Sequence, residues 1–326
     1  MMDGKLYRIT SRFGIDRPEI TFLRHNENRT YRVRDAGGSS YLLRIHEPVK
    51  ESMAGLQHTY DGLLGELEML EALAGGSSLV VQKPIRNEEG ELITVIEHDG
   101  KRLNCSLLTW LEGRDICKED VQDAGLVQRF GQQIAELHSF YRQYQSKTVE
   151  NRPAQGIAYH TEMANKIRVG LRLGLFTPAD VDVIEQSILL INARLGKIGT
   201  SPASWGLIHG DLGMGNVILS PEGKLHLIDF GFFGPGYYLL DVAMGALMIP
   251  AEHRDIFLRG YFGHDDLHER DFALLEGFML VAIIGYYAFQ MGNESVHAWM
   301  EERMPRLCAN YCIPFLNGER IFYKIT

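Results

Sequence analysis

Two short polar motifs in the second half of the chain combine the groups that phosphoryl transfer requires. Four residues separate Asp211 from Asn216, and Asp229 follows thirteen positions after Asn216. Apolar runs precede both motifs, at 207–208 and at 225–228. In phosphoryl transfer, one carboxylate orients and deprotonates the attacking hydroxyl, while an amide and a second carboxylate hold the Mg²⁺ that shields the phosphates. We therefore predict that Asp211 is catalytic and that Asn216 and Asp229 bind the metal.

The same motifs carry a resemblance to a known family. The stretch His209-Gly-Asp-x4-Asn216, followed by Ile228-Asp-Phe-Gly231, resembles the superfamily of aminoglycoside phosphotransferases, choline kinases and homoserine kinases. The similarity is clearest over residues 206–247 and fainter over residues 26–113. It implies an ATP-dependent, Mg²⁺-requiring kinase that phosphorylates a hydroxyl of a small molecule. The acceptor class stays open among amino alcohols, amino acids, sugars and aminoglycosides.

The resemblance also implies the architecture. The expected fold is α+β and bilobal, like that of protein kinases. Residues 1–110 would form a small, β-rich nucleotide-binding lobe that ends in a hinge. Residues 111–326 would form a larger, mainly helical lobe for catalysis and substrate binding.

A basic residue on a predicted strand and an acid on a predicted helix resemble the pair that holds ATP phosphates in kinases. Residues 30–34 and 40–46 are β-rich and flank a Gly-Gly turn, which predicts a hairpin. Arg44 lies on the second strand, where the family has a phosphate-contacting Lys or Arg; a solvent-facing strand arginine is the alternative. Apolar spacing predicts a helix over 63–73, and its apolar face selects Glu66 as the partner of Arg44.

The remaining nucleotide contacts are predicted from position. Protein kinases cover the phosphates with a glycine-rich loop, but residues 24–29 contain no glycine. Asn26 and Asn28 are candidates there, because asparagine tolerates the left-handed backbone of a tight turn. In the family, hinge backbone groups receive the adenine, and Trp110 as an ordinary core residue is the alternative. The hinge candidates are Leu108, Thr109 and Trp110.

Two residues near the motifs are predicted to support the catalytic loop. The ring of His209 is expected to fix the loop through hydrogen bonds. Asp241 precedes an apolar helical run and is predicted to be its N-cap, and the family resemblance implies that it buttresses the loop. His138 lies on a predicted helix over 126–144, where a packing or hydrogen-bonding role is expected rather than a catalytic one.

Charge and composition bear on partners and location. The formal net charge is −9, and residues 111–326 contribute −7 of it, with 26 acidic against 19 basic residues. This disfavours nucleic acid as a partner. An acidic substrate lobe suits a cationic acceptor, but an acidic surface also keeps proteins soluble, and both explanations stay open.

Several features predict a cytoplasmic protein without a membrane partner. The four cysteines form no disulfide framework, which favours reduced thiols. The N-terminus lacks the apolar core of a signal peptide, and the most apolar window, residues 277–289, is too short to span a bilayer. Nothing in the sequence indicates an oligomeric state.

Two alternative functions stay open. A protein Ser/Thr kinase is disfavoured by Gly210, where those enzymes have arginine, and by the short segment after Gly231. A nucleotide-binding pseudokinase with little turnover is favoured by the glycine-free loop. The intact set of Asp211, Asn216 and Asp229 disfavours it.

Overall fold

The computed structural model describes residues 2–25, 28–47, 55–263 and 269–325. The chain divides into two compact units, each formed by three segments. The first comprises Met1–Asp115, Gln143–Pro153 and Gly215–Phe233, and the second comprises Ile116–Arg142, Ala154–Met214 and Gly234–Thr326. Asp211 therefore belongs to the second unit, whereas Asn216 and Asp229 belong to the first. The predicted lobe boundary after residue 110 stays a prediction.

Helices and strands are numbered along the chain. They are α1 (Met2–Arg12), β1 (Glu19–His25), β2 (Arg29–Arg34), β3 (Ser40–His46), α2 (Tyr60–Gly76), β4 (Pro84–Ile85), β5 (Thr94–His98), β6 (Lys101–Thr109), β7 (Arg114–Asp115), α3 (Ala124–Gln143), α4 (Ile157–Arg172), α5 (Pro178–Ile198), β8 (Trp205–Ile208), β9 (Val217–Leu219), β10 (Leu225–Leu227), β11 (Gly234–Tyr237), α6 (Tyr238–Met248), α7 (Arg254–Phe262), α8 (Glu269–Phe289), α9 (His297–Leu307) and α10 (Ile313–Leu316).

The first unit is built on an antiparallel sheet with the strand order β1-β2-β3-β6-β4, and β5 also pairs with β6. Side chains alternate between the two faces of a strand. One face of this sheet contributes to an apolar core with residues of α1 and the segment after it. The core contains Leu6, Ile9, Phe13, Ile15, Tyr31, Val33, Leu43, Ile45, Leu103, Cys105 and Leu107. The polar residues between them, among them Thr30, Arg44 and Ser106, therefore lie on the opposite face.

A second, smaller sheet of the first unit positions the predicted metal ligands. Its strand order is β10-β9-β7, and Val217 of β9 pairs with Leu227 of β10. The ladder extends one step further, because the amide of Ile228 donates to the carbonyl of Asn216 at 3.0 Å. Asn216 directly precedes β9 and Asp229 follows β10, so the antiparallel pairing brings both to the same end of this ribbon.

The second unit is mainly helical. Its two-stranded ribbon pairs β8 with β11, and Ile208 lies opposite Gly234. Among the described residues, the helical stretch Asp271–Gly292 is long and apolar enough to cross a membrane, judged by length and composition alone. This stretch is longer than the apolar window at 277–289 that the sequence indicated. In the structure 61% of the most apolar 18-residue window of this helix is buried, which is typical of a core helix.

The predicted α+β fold class is confirmed, and so are several local elements. The hairpin corresponds to β2 and β3, and the helix predicted over 63–73 extends to Tyr60–Gly76. α1 was not predicted. It contributes Leu6 and Ile9 to the sheet core.

Candidate active site

The loop after β8 carries Asp211 on a backbone that several neighbours hold in place. Gly210 has φ +77°, a left-handed conformation that glycine adopts without a Cβ penalty. Its carbonyl accepts a hydrogen bond from Nε2 of Gln155 at 3.3 Å. The amide of Asp211 donates to Nδ1 of His209 at 3.3 Å, so the predicted structural role of His209 is confirmed in its geometry. The Asp211 side chain is half-buried.

Asp241 anchors this loop from inside the second unit. Its carboxylate accepts from the amides of His209 and Gly210, at 2.7 and 2.8 Å. The expected buttressing contact is therefore present, but the predicted N-cap position is wrong. α6 begins at Tyr238, so Asp241 lies in its first turn, where it is fully buried and turned to the loop.

The chemistry of His138 follows from its two hydrogen bonds. Its Nε2 lies 2.9 Å from Asp241 Oδ2, and its Nδ1 lies 2.8 Å from the Tyr261 hydroxyl. Burial opposes ionisation of Asp241, but the hydrogen bonds from His138 and Gly210 outweigh it and lower the pKa of the carboxyl. A carboxylate only accepts, so Nε2 of His138 is the donor to Asp241. Burial raises the pKa of Tyr261.

The predicted metal ligands differ in conformation. Asp229 adopts a left-handed conformation, with φ +62° and ψ +64°, and 36% of its side chain is exposed. Asn216 lies in a short 3₁₀ turn and is half-buried. Few non-glycine residues have a positive φ, and Asp and Asn are several-fold enriched among them. This backbone conformation points the Asp229 carboxylate in a direction that a side chain continuing the preceding strand would not take.

The donor set of Asn216 and Asp229 suits Mg²⁺. This ion keeps several waters and is commonly bound through one or two carboxylates together with substrate phosphates. Within the described ranges, no three His, Cys, Asp or Glu side chains form a cluster that could hold a metal. A metal held by one carboxylate, one amide oxygen and phosphate oxygens needs no such cluster.

Arg44 and Glu66 are brought together as the sequence predicted. Arg44 Nη1 donates to Glu66 Oε1 at 2.7 Å, and the two side chains are only 5% and 1% exposed. Arg44 Nε donates to the Ser106 hydroxyl at 3.3 Å. Its Nη2 is buried without a hydrogen-bond partner among the described residues. A buried guanidinium donor left unpaired is costly, so this atom is a strong candidate for an anionic ligand.

The predicted phosphate loop lies between β1 and β2. Asn28 is half-buried in a bend just before β2, whereas Asn26 lies outside the described residues. The first unit also places Arg24, at the end of β1, against the metal-ligand segment. Its Nη2 lies 3.2 Å from Asp229 Oδ2. Sequence reasoning missed Arg24, because the contact joins residues that are 205 positions apart.

Arg152 is a second residue that sequence reasoning missed. Its guanidinium is buried and donates to the carbonyls of Gly62, Phe230 and Phe233, at 2.8, 3.3 and 2.6 Å, and also to that of Gly231. Three of these carbonyls lie within four residues after Asp229, and Gly62 lies in the first turn of α2. One arginine therefore ties the segment after Asp229 to the helix that carries Glu66.

The hinge candidates lie at the end of β6. Leu108 is buried and pairs with Leu42 and Pro84. The amides of Thr109 and Trp110 donate to the carbonyls of Lys83 and Ser40, at 2.8 and 3.2 Å. Because both amides already donate within the protein, acceptor groups would have to bind adenine at these two positions. The ring of Trp110 is half-buried beneath the guanidinium of Arg32, at 4.6 Å from its centroid.

Comparison with known proteins agrees with this geometry. The model of the phosphotransferase enzyme family matches residues 19–276. Amicoumacin kinase of Bacillus subtilis is 23% identical over 279 residues, which cover 80% of this chain and 76% of that protein. A microcompartment-associated aminopropanol kinase superposes with a TM-score of 0.78 at 18% identity, covering 97% of this chain and 98% of that one. Amicoumacin kinase hAmiN, in complex with AMP-PNP, Ca²⁺ and Ami, gives 0.75 at 21% identity, with 99% and 97% covered.

The structural likenesses establish the fold, and the predicted protein-kinase-like architecture is confirmed. The family match extends from the first strand of the sheet to the middle of α8, so it includes Arg44, Glu66, Asp211, Asn216 and Asp229. The chain therefore belongs to the phosphotransferase enzyme family, and the predicted phosphotransferase class is confirmed.

Proposed function

We propose that this protein transfers the γ-phosphate of ATP, with Mg²⁺, to a hydroxyl of a small molecule that also carries an amine. The observation that carries the nucleotide part is the buried Arg44, which Glu66 holds through Nη1 while Nη2 has no partner among the described residues. A rigid, desolvated donor of this kind suits a phosphate oxygen. Asn28 and the hinge candidates at 108–110 would supply further contacts to the nucleotide.

The side chains of the two motifs would divide the chemistry. Asp211 would orient the acceptor hydroxyl and take its proton as the oxygen attacks the phosphorus. Asp241 would keep the backbone of that loop in one conformation. Asn216 and Asp229 would hold Mg²⁺, which neutralises charge on the phosphates when it is bound.

The amine on the acceptor is supported by charge and by the relatives. Residues 111–326 carry −7 of the net charge, which would attract a cationic acceptor. The similar proteins are named as kinases of aminopropanol and of amicoumacin. A protein substrate is less favoured, because the segment after Gly231 is short and ordered. It passes directly into β11, which pairs with β8, and then into α6.

The proposal is tested by acceptor-dependent ADP release with Mg²⁺ and ATP. The panel should contain 1-amino-2-propanol, ethanolamine, choline, homoserine, neutral sugars, aminoglycosides and a generic protein substrate. We expect turnover with one or more amine-bearing small molecules and none with the protein. Phosphorylation of neutral sugars in preference to amines would contradict the acceptor class. ATP binding without turnover on any acceptor would favour the pseudokinase alternative.

Replacing Asp229 by alanine is expected to weaken both turnover and the metal dependence of nucleotide binding. The variant loses one of two protein ligands, so the Mg²⁺ concentration for half-maximal activity should rise about tenfold or more. Titration of Mg²⁺ at fixed ATP measures this constant. Asp255→Ala is the control, because that carboxylate belongs to the second unit and accepts a hydrogen bond from the Tyr323 hydroxyl. An unchanged Mg²⁺ constant in Asp229→Ala would show that the metal ligand has been misassigned.

Replacing Arg44 by alanine is expected to raise the dissociation constant for ATP about tenfold or more, because the substitution removes a charge-assisted donor to phosphate. Glu66→Gln provides the comparison, since it keeps the side-chain volume while weakening the hold on Arg44. The dissociation constant for ATP should rise less in Glu66→Gln than in Arg44→Ala. Calorimetric ATP titrations of both variants, with melting temperatures to verify folding, measure the effect. An Arg44→Ala protein that stays folded and binds ATP normally would return Arg44 to a structural role.

A further inference from the structure

The face of the first-unit sheet opposite α1 carries a row of polar residues in register across four strands. Arg24 of β1 lies opposite Thr30 of β2, and Thr30 lies opposite Arg44 of β3. The row ends where Arg44 lies opposite Ser106 of β6. Residues directly opposite each other share a face of the sheet. Because adjacent strands are about 4.8 Å apart, the backbones of Arg24 and Arg44 are roughly 10 Å apart on this face.

A β-bulge puts Arg24 into this row. Phe22 pairs with Tyr31 on the core face, and the two rings make an edge-to-face contact at 5.5 Å. In a regular strand Arg24 would point to the same face as Phe22. The register shifts between these two residues, so that Arg24 lies opposite Thr30 instead. The Thr30 hydroxyl also donates to the Arg24 carbonyl at 3.3 Å, which fixes the backbone there.

The contact between Arg24 and Asp229 is weak enough to be exchanged. Nη2 and Oδ2 are 3.2 Å apart, and the two side chains are 49% and 36% exposed. Exposed ion pairs of this kind contribute little to stability. Arg24 also competes with the metal for this carboxylate, because Asp229 is the proposed carboxylate ligand of Mg²⁺. Metal bound at Asp229 would remove the partner of Arg24, and phosphate brought with the metal would offer a new one.

We propose that Arg24 is a phosphate-binding residue of the nucleotide site, held by Asp229 in the free protein and released to the terminal phosphates when the nucleotide binds. This inference rests on the proposed function, because its ligand is the polyphosphate of the nucleotide. It also accounts for the glycine-free loop at 24–29. Without glycines to bring backbone amides close to the phosphates, two guanidinium groups on one sheet face, Arg24 and Arg44, supply the donors.

The first test is calorimetric titration of AMP, ADP and ATP in the presence of EDTA. Arg24→Ala should weaken ATP binding about tenfold, ADP binding less, and AMP binding within error. Arg24→Lys should fall between, since it keeps the charge but loses the planar fork. Arg29→Ala is the matched control. It also removes one arginine, at the same end of the β1–β2 pair. Arg29 directly precedes Thr30 on β2, so its side chain lies on the opposite face of the sheet.

The second test measures Mn²⁺ binding in the absence of nucleotide, with electron paramagnetic resonance as the readout. Arg24→Ala should bind Mn²⁺ about threefold more tightly, because the competing cation on Asp229 is gone. Arg29→Ala should match the parent. Opposite changes in metal and ATP affinity within one variant are the signature of exchange. A loss of stability alone would not produce them.

The outcomes separate the two proposals. If the parent protein binds no ATP, the proposed function itself fails. If the parent binds ATP while Arg24→Ala behaves like Arg29→Ala, or loses AMP and ATP equally, the role of Arg24 is overturned and the proposed function stands. Mn²⁺ affinity unchanged in Arg24→Ala would overturn the exchange at Asp229.

Discussion

An Asp211→Asn variant is expected to lose phosphate transfer by about 10³-fold while binding ATP as tightly as the parent protein. Asparagine keeps the size and polarity of the side chain but cannot accept the proton of the acceptor hydroxyl at neutral pH. The loop itself should keep its conformation, because its anchors are backbone amides held by Asp241 and the His209 ring. The loss should therefore appear in kcat, with the constants for ATP and Mg²⁺ close to those of the parent.

Single-turnover and steady-state ADP release, with the acceptor found in the panel, measure this effect. Asp182→Asn is the matched control. Its carboxylate lies on the exposed side of α5, where it accepts from Gln186 Nε2 at 2.7 Å, and its substitution should leave kcat unchanged. Turnover within about tenfold of the parent in Asp211→Asn would assign proton transfer to another group. A parallel loss of ATP affinity would indicate that the substitution has disturbed the loop.

An Arg152→Met variant is expected to lose about 3–5 kcal/mol of stability in the first unit. Methionine fills much of the volume but donates no hydrogen bonds, so it leaves four carbonyl groups without this donor. Those carbonyls belong to Gly62 in α2 and to Phe230, Gly231 and Phe233 after Asp229. Because Arg152 is only 4% exposed, water cannot readily replace it. The affinity for metal and nucleotide should fall too, since Asp229 loses the anchor of its segment.

Urea denaturation and hydrogen exchange of the α2 amides together measure the change. Exchange is needed because a chain of two compact units need not unfold in one step. Arg86→Met is the matched control in the same unit. It removes an arginine that pairs with Glu71 of α2 at 2.6 Å but is 49% exposed, and it should cost about 1 kcal/mol or less. Equal effects of the two substitutions would show that Arg152 is not a structural anchor.

The sequence alone was sufficient where function depends on residue types at short spacing. The run from His209 to Asn216 and the Asp-Phe-Gly at 229–231 predicted the family, because chemistry of this kind needs those groups within one loop and one turn. Helix α2 and the hairpin of β2 and β3 were predictable for a similar reason. Apolar periodicity and turn residues act over a few neighbouring positions. The pairing of Arg44 with Glu66, 22 positions apart, was expected from the family resemblance, and the apolar pattern of the helix only selected Glu66 among its acids.

Only the tertiary structure decided the contacts between segments far apart in the chain. Asp241 looked like an N-cap because it precedes an apolar run, yet burial against His138 and the catalytic loop places it inside the helix. Arg24 joined the polar row through a one-residue bulge that no local signal marks, and Arg152 found its carbonyls some 80 to 90 positions away. A side chain's partners are set by the packing of whole elements. Their identity depends on register and burial, which the order of residues determines only through the complete fold.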